Sequence, residues 1–377
     1  MTSTKPPDDV GAGTTATAEP DAELQERLEA LVGQVVTDAG AAVTVPLALL
    51  GDRLGLFTAL AGKEPMTSAE LAERTGLRER YVREWLMAMA TAGYVSFDGA
   101  DAGSSAAVRY HLAPEQVEAF TNPDSPGYVA GAFQTLTAAT RMLDRLTDAF
   151  RTGEGVAWHE HHDDLFVGTE RFFRPGYLAN LTGSWIPALT GIEEKLLAGG
   201  RVADVGCGLG ASTVLMARAY PASTFVGLDY HAPSIVLAQQ RAADAEVTDR
   251  ITFRTAGANE LEGTYDLITF FDCLHDMPDP MAALRAARAS LAEGGSVMLV
   301  EPMSWDALSE AVNPLGRLLA GASMLICLPS GLSETPAYGL GNQVGPSRMR
   351  ELAHEAGFGS AEVAASSEMN LIYELRD

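Results

Sequence analysis

Glycines, carboxylates and one histidine carry the chemistry written into this chain of 377 residues. Between Arg201 and His231 (RVADVGCGLGASTVLMARAYPASTFVGLDYH) an apolar run, Val202 to Val205, meets Gly206, Gly208 and Gly210. A helical pattern follows from Ser212 to Ala219, and a second apolar run from Thr224 to Leu228 ends in Asp229. Strand, tight turn, helix and strand, with a carboxylate at the second tip, is the order of a nucleotide-binding unit. Glycines lacking Cβ let the backbone approach a ligand, and the helix start offers unpaired N–H groups. Asp229 is placed to accept hydrogen bonds from a ribose diol. The stretch therefore predicts a site for a nucleoside-bearing cofactor.

Two cofactors compete for it. Gly206-x-Gly208-x-x-Ala211 satisfies the relaxed dinucleotide fingerprint, which leaves NAD open. Asp204, two residues before the first glycine, suits an α-ammonium and would repel a pyrophosphate; Gly210 continues a GxGxG spacing. Here the stretch resembles motif I of the class I S-adenosylmethionine-dependent methyltransferases. Asp229-Tyr230 resembles the acid and aromatic that hold ribose and adenine in that family. Where relatives often carry an Asp on adenine this chain has Gly257, so Gly257 and Ala258 are expected to contribute backbone contacts.

The same resemblance extends to Phe271-Asp272-Cys273-Leu274-His275-Asp276-Met277, at the end of the apolar run Tyr265 to Phe271. Ligands of open α/β sheets bind outside the carboxyl ends of parallel strands, so Phe271, Asp272 and Cys273 should face the crevice of the glycine turn. The segment resembles the LHDW-x-D stretch of small-molecule O-methyltransferases, in which the His is the general base. His275 is the expected catalytic residue, since an imidazole titrates near neutrality; a bracing role for the loop is the alternative. Asp276 or Asp279 is expected to orient it, and Met277 departs from the family's Trp.

Composition bounds the rest. Hydrophobic residues at 47% and charged residues at 20% describe a globular chain. A formal charge of −24 argues against nucleic acid or an anionic membrane as partner. Three dispersed cysteines fit neither a disulfide framework nor a zinc pattern, and no uninterrupted membrane-length apolar run stands out. The expectation is a soluble cytoplasmic protein.

Residues 1–20, rich in Thr, Pro, Gly and Asp, read as a disordered tail. Residues 21–115 read as helices, Glu23 to Thr37 and Ala41 to Leu60, then a helix opening at Thr67, a turn at Gly76, a longer helix, and two strands around DGADAGSS. This resembles the winged helix-turn-helix domain in front of many small-molecule O-methyltransferases, where it serves dimerisation. DNA binding is the rival reading, but Glu70 to Arg109 holds five Arg against six acids and no basic stripe.

Residues 116–190 are expected to connect the domains and wall the site, starting with a helix from Val129 to Phe150. The polar run Trp158 to Phe166 contains His162; its imidazoles and carboxylates could ligate a metal, but neighbours on one segment seldom converge on one ion, so none is expected. Glu170 to Tyr177 and Trp185 suggest an aromatic wall. By the resemblance, Tyr177 covers the cofactor, and Phe173, Glu170 and His162 line the substrate side. Residues 191–377 are expected to form the cofactor-binding domain, with a helical insertion at 303–345. Its apolar helix, Leu315 to Leu328, reads as a lid or a substrate wall, and Asn313, Arg317, Ser323 and Ser330 could supply polar contacts to substrate.

The expected architecture is α/β, a Rossmann-like seven-stranded methyltransferase sheet behind a mostly helical winged-helix domain. The expected function is S-adenosylmethionine-dependent methyl transfer to a small, largely apolar acceptor, by O-methylation in a homodimer. C- or N-methylation, or a winged-helix regulator that senses a ligand without catalysis, are the alternatives.

Overall fold

The structure, a computed structural model, describes residues 22–99 and 108–377. The expected tail and most of the loop between the two wing strands lie outside the described residues. The chain divides into two units, one up to Thr44 and one from Val45 to Asp377, and helix α1 (Ala22–Arg53) runs across the division. In the first unit Leu24, Leu28, Leu31 and Val35 recur at helical spacing. The sequence placed a break near residue 40, but the helix continues through Gly40. One internal glycine costs only about 1 kcal/mol, too little to end a long helix. Helix α1 also holds an 18-residue window of mean hydropathy 1.4, long and apolar enough to cross a membrane by length and composition, with Asp38 inside it.

In the second unit, α2 (Leu56–Leu60) precedes α3 (Ser68–Thr75). The capping box read at Thr67 forms: its hydroxyl accepts from the Glu70 N–H while the Glu70 carboxylate accepts from the Thr67 N–H. Gly76, at φ 69°, ends the helix in the left-handed conformation, and α4 (Glu79–Thr91) follows. Strands β1 (Ser96–Asp98) and β2 (Arg109–His111) pair antiparallel, shorter than the alternation suggested. Leu71, Val82, Trp85, Leu86 and Met89 close one apolar cluster with Phe57, Phe120 and Phe133.

Connecting helices come next: α5 (Pro114–Thr121), α6 (Ala130–Ala139), α7 (Leu143–Thr152) and α8 (Asp163–Asn180). The single helix expected from Val129 to Phe150 is interrupted by a 3₁₀ turn at Thr140–Met142. Helices α6 and α8 cross with backbone nearly touching. A Cβ on Gly131 would lie 2.4 Å from the Phe172 nitrogen, and one on Gly168 would lie 2.6 Å from that of Thr135. Arg171, on α8, pairs with Asp52 at 2.9 Å and also hydrogen-bonds Gln134 and the Tyr128 hydroxyl. A π-turn, Leu181–Trp185, continues α8.

After α9 (Ile192–Ala198) the α/β alternation begins: β3 (Arg201–Val205), α10 (Ala211–Ala219), β4 (Thr224–Asp229), α11 (Ala232–Asp244), β5 (Ile251–Thr255), β6 (Tyr265–Phe271), α12 (Pro280–Ala289) and β7 (Leu291–Pro302). β7 is twice the length of the expected Ser296–Glu301 strand; it takes in Gly294 and Gly295, and the register against β6 shifts there. The insertion breaks into α13 (Leu308–Ala311), α14 (Pro314–Ala322), a π-turn at Ser323–Cys327 and α15 (Leu328–Gly331), in place of one apolar helix. Helix α16 (Pro346–Glu355), β8 (Ser360–Ser366) and β9 (Asn370–Arg376) complete the chain.

The seven large-sheet strands lie in the order β5-β4-β3-β6-β7-β9-β8, parallel except for β9, which is antiparallel to both neighbours. Alternate residues feed two cores: Val202, Met298 and Val300 on one face, Ala203, Val205, Val297 and Leu299 on the other. Strand order reverses between β3 and β6, where a crevice must open at the carboxyl ends.

Candidate active site

A cavity of about 460 Å³ occupies that crevice. Gly206, Gly208 and Gly210 take φ of 71°, 51° and 76°, conformations closed to ordinary side chains at low cost. Their surroundings differ. A Cβ on Gly210 would lie 2.8 Å from the Phe253 ring, and one on Gly206 would lie 2.7 Å from the Cys273 sulfur. One on Gly208 would meet nothing within 4 Å. Packing fixes the outer two glycines, while Gly208 presents bare backbone to the cavity.

Asp229, at the tip of β4, accepts from the Gly208 N–H at 2.9 Å and the His231 N–H at 2.8 Å. Burial pushes its pKa up, against those hydrogen bonds. Its carboxylate lines the cavity with lone pairs to spare for a diol. Tyr230, Gly257 and Ala258 border the same end. The Gly257 N–H is already taken by the Glu260 carboxylate at 2.6 Å, so the expected backbone contact falls to Ala258.

Asp204 differs from expectation. It is 1% exposed and absent from the cavity wall, because Ser212, Thr213 and Thr269 turn their hydroxyls onto it at 2.7, 2.5 and 3.0 Å. Burial raises its pKa to about 6 in spite of those three donors. It ties β3 to β6 and to the first turn of α10, and so positions the glycine turn.

The opposite end is built by α8 and the end of β6. Glu170, Phe173 and Tyr177, spaced three and four apart, face the cavity together. The Phe173 and Tyr177 rings lie near-parallel, 6.3 Å apart. Glu170 Oε1 lies 3.2 Å from the Arg241 guanidinium but is buried without a hydrogen bond. The Tyr177 hydroxyl donates to Asp272 Oδ2 at 2.8 Å, and Asn370 Nδ2 donates to Oδ1 at 2.6 Å. Asp272 sits at φ 50°, unusual for a residue with a side chain, and lines the cavity beside Phe271 and Cys273. Burial, with repulsion from Glu301, raises its pKa to about 7 against the Tyr177 hydrogen bond.

His275 does not lie on the cavity wall. It is 3% exposed, and its Nδ1 hydrogen-bonds Glu301 Oε2. The orienting carboxylate is Glu301, at the end of β7, and not Asp276 or Asp279. Asp279 instead caps α12, accepting from the Ala282 N–H at 2.9 Å, and Asp276 lines the cavity with a pKa raised by burial to about 7. The Cys327 thiol of the insertion lies against the imidazole. Burial alone would discharge the ring, but Glu301 and Cys327 outweigh it and hold its pKa well above the imidazole value. The Glu301 contact fixes Nδ1 and so sets the orientation of the ring.

Three further residues stand away from the cavity. His162 caps α8, its Nδ1 accepting from the Asp164 N–H at 3.1 Å. Asn313 caps α14 through the Gly316 N–H, and Arg317 does not reach the wall. Ser330 of the insertion, a candidate polar contact, lines the cavity; sequence reasoning missed Trp158 and Phe166, which flank the polar run, and Ser333, Glu334 and Thr335, which line it too. The two aromatics were visible as residues, but only the fold turns them inward. The rest of that run disperses: His159 packs on the Tyr230 ring, while His161 is buried with neither ring nitrogen hydrogen-bonded, its pKa lowered to about 4 by burial. Among the described residues no group of three or more His, Cys, Asp or Glu is arranged to hold a metal ion.

Residues 41–122 match the model of an Rv2258c-like winged HTH domain, and residues 177–361 match that of a methyltransferase domain. A relative, the 27-O-demethylrifamycin SV methyltransferase of Amycolatopsis mediterranei, is 32% identical over 157 residues, 38% of this chain and 57% of that protein. The chain spans little more than half the length of this curated relative. Among solved structures, the mitomycin 7-O-methyltransferase MmcR superposes with a TM-score of 0.68 at 18% identity, over 95% of this chain and 100% of that one. Human N-acetylserotonin methyltransferase in complex with SAM gives 0.68 at 17% identity, over 96% and 99%. At such identities the structures establish a shared fold.

Proposed function

Because the chain is a two-domain member of the methyltransferases, a winged helix-turn-helix domain followed by a methyltransferase domain, we propose that it transfers the methyl group of S-adenosylmethionine to a small-molecule acceptor. One observation carries the reading: a single cavity joins the Gly208 backbone, the Asp229 carboxylate and the Glu170–Tyr177 face of α8. The residues fit the cofactor. Asp229 has lone pairs left for a ribose, Gly208 leaves room at the turn, and the Glu170 carboxylate, ion-paired with Arg241 at 3.2 Å, lies on the same wall. Tyr230, Ala258 and Gly257 would border the adenine; Phe271, Cys273 and Tyr177 would border the methionine end. When bound, the cofactor supplies an electrophilic methyl on a sulfonium.

The protein's own part is to exclude water and align the acceptor, which accounts for much of the rate of a transfer whose electrophile is already activated. Trp158, Phe166 and Phe173 give the acceptor aromatic surface, while Asp276, Ser330 and Glu334 add polar points. We propose O-methylation of a scaffold of the secondary-metabolite kind, in keeping with the names of the rifamycin and mitomycin relatives.

We also propose a homodimer through the N-terminal domain, a cytoplasmic location, and the division into 21–115, 116–190 and 191–377. Calorimetry tests the core of this reading. Adenosylhomocysteine should bind at micromolar concentration and NAD should not; tight binding of NAD alone would overturn it.

A further inference from the structure

We propose that the acceptor carries a protonated amine, which Asp276 and Ser330 seat in the cavity wall, with Glu334 adding a second negative charge. The inference rests on the methyltransferase reading and names the substrate class within it. The charge of the wall comes first. Six carboxylates line the cavity, those of Glu170, Asp229, Asp272, Asp276, Asp279 and Glu334, and among the described residues no Lys, Arg or His does. The cofactor answers only a single one of these charges, because its own carboxylate offsets its ammonium and leaves the sulfonium. Four of the acids are engaged by the protein: Glu170 pairs with Arg241, Asp229 accepts from two backbone N–H groups, Asp272 accepts from Tyr177 and Asn370, and Asp279 caps α12. Asp276 and Glu334 take no hydrogen bond or salt bridge from another residue. The imidazole next to Asp276 in the chain gives its Nδ1 to Glu301.

A hydroxyl comes second. Ser330 is 4% exposed and lines the cavity, yet its Oγ has no hydrogen-bond partner among the described residues; only its carbonyl is used, by Ser333. Buried hydroxyls are normally paired, so this open valence points to a ligand group. Helix α15, which carries Ser330, packs on the turn Leu274–Asp276 and brings hydroxyl and carboxylate to one stretch of wall. Asp276 and Glu334 both push the Tyr230 pKa up, so the two carboxylates approach the same phenol.

An alkylammonium fits this set. Its N–H groups can donate to Asp276 and Ser330, which both accept, and Glu334 adds charge. Trp158 and Phe166, with ring centres 5.4 Å apart on the same cavity, offer faces that attract a cation and pack its carbon chain. Burial pushes the Asp276 pKa up to about 7, and a cation beside it would bring the group back toward the ordinary carboxylate range. A carboxylate or phosphate at this point would meet two acids and no cation on the wall to answer it. The protonated amine has no lone pair, so it anchors the molecule while a hydroxyl elsewhere on the acceptor receives the methyl.

Calorimetry on the full chain, saturated with adenosylhomocysteine at pH 8, tests this with tyramine, para-ethylphenol and para-hydroxyphenylpropionate. These probes share a phenol and differ in the charge at the far end. Tyramine should bind about tenfold more tightly than para-ethylphenol, and the propionate more weakly than either. Asp276→Asn should bring tyramine to within about threefold of para-ethylphenol while adenosylhomocysteine affinity stays within about threefold of wild type. Ser330→Ala should weaken tyramine about threefold and leave para-ethylphenol unchanged.

Equal affinity for the probes, tightest binding of the propionate, no binding of any probe, or a tyramine preference intact in Asp276→Asn would each overturn the proposal. If Asp276→Asn no longer takes up adenosylhomocysteine, Ser330→Ala decides alone: weakened tyramine supports the amine seat, and unchanged tyramine overturns it. Failure of adenosylhomocysteine to bind the wild type would instead sink the methyltransferase reading, and this proposal with it.

Discussion

At residue scale the glycine turn separates two duties that one motif conceals. Gly208→Ala meets open space, so the cost is its left-handed backbone, about 1–2 kcal/mol, while the methyl intrudes on the ligand. Adenosylhomocysteine affinity should fall at least tenfold with the thermal midpoint lowered only a few degrees. Gly210→Ala adds a collision with Phe253 and Ala238, at 2.8 and 2.9 Å, and should cost about 2–4 kcal/mol in urea unfolding. Equal losses in the two variants would contradict this division.

Asp204 permits a pH prediction of definite sign. Its folded pKa, about 6, lies above the ordinary carboxylate value near 4, so the folded state holds the proton more tightly. The contribution is fully present below pH 4 and is lost as pH rises toward 6, on the order of 3 kcal/mol. Asp204→Asn keeps a neutral acceptor there. The stability difference between wild type and variant should therefore move in the variant's favour between pH 4 and 6.5, and a difference independent of pH would refute the linkage.

At element scale, what the sequence disclosed follows from local rules. The Thr67–Glu70 box, the Gly76 stop and the strand-turn-helix at Val202 to Ala219 all depend on neighbours within a few residues, and the structure has them. What was hidden depends on distant partners. Nothing local indicates that Ser212, Thr213 and Thr269 converge on Asp204, or that Glu301, 26 positions away, takes the imidazole of His275. The insertion was legible as an apolar stretch with Ser330 as a polar contact, but its π-turn and the placing of Ser333 to Thr335 on the cavity were not. The α6–α8 crossing yields a further test. Gly131→Ala puts a methyl against the Phe172 backbone, which can only yield by moving α8. Adenosylhomocysteine affinity should drop several-fold although residue 131 is absent from the cavity wall; unchanged affinity with lowered stability would show that the two are uncoupled.

At the scale of the whole molecule, charge dominates. With a net −24, like charges repel across the fold, and that repulsion is screened over about 10 Å at 0.1 M salt. Raising sodium chloride from 20 to 300 mM should raise the thermal midpoint by a few degrees, and a falling midpoint would point to attractive pairs outweighing repulsion. The same charge predicts no gel shift with duplex DNA at physiological salt, whatever the winged helix resembles.

Helix α8 belongs by its Arg171 side to Asp52, Tyr128 and Gln134, and by its Glu170–Tyr177 side to the chamber behind the sheet. A protein engineer who grafts this amino-terminal half onto a foreign transferase should place the seam after Asn180. A cut nearer residue 125 would strand the guanidinium without its acid and bring a mismatched wall to the chamber. Selectivity for small molecules would thus be inherited partly through the half that performs no bond-making at all.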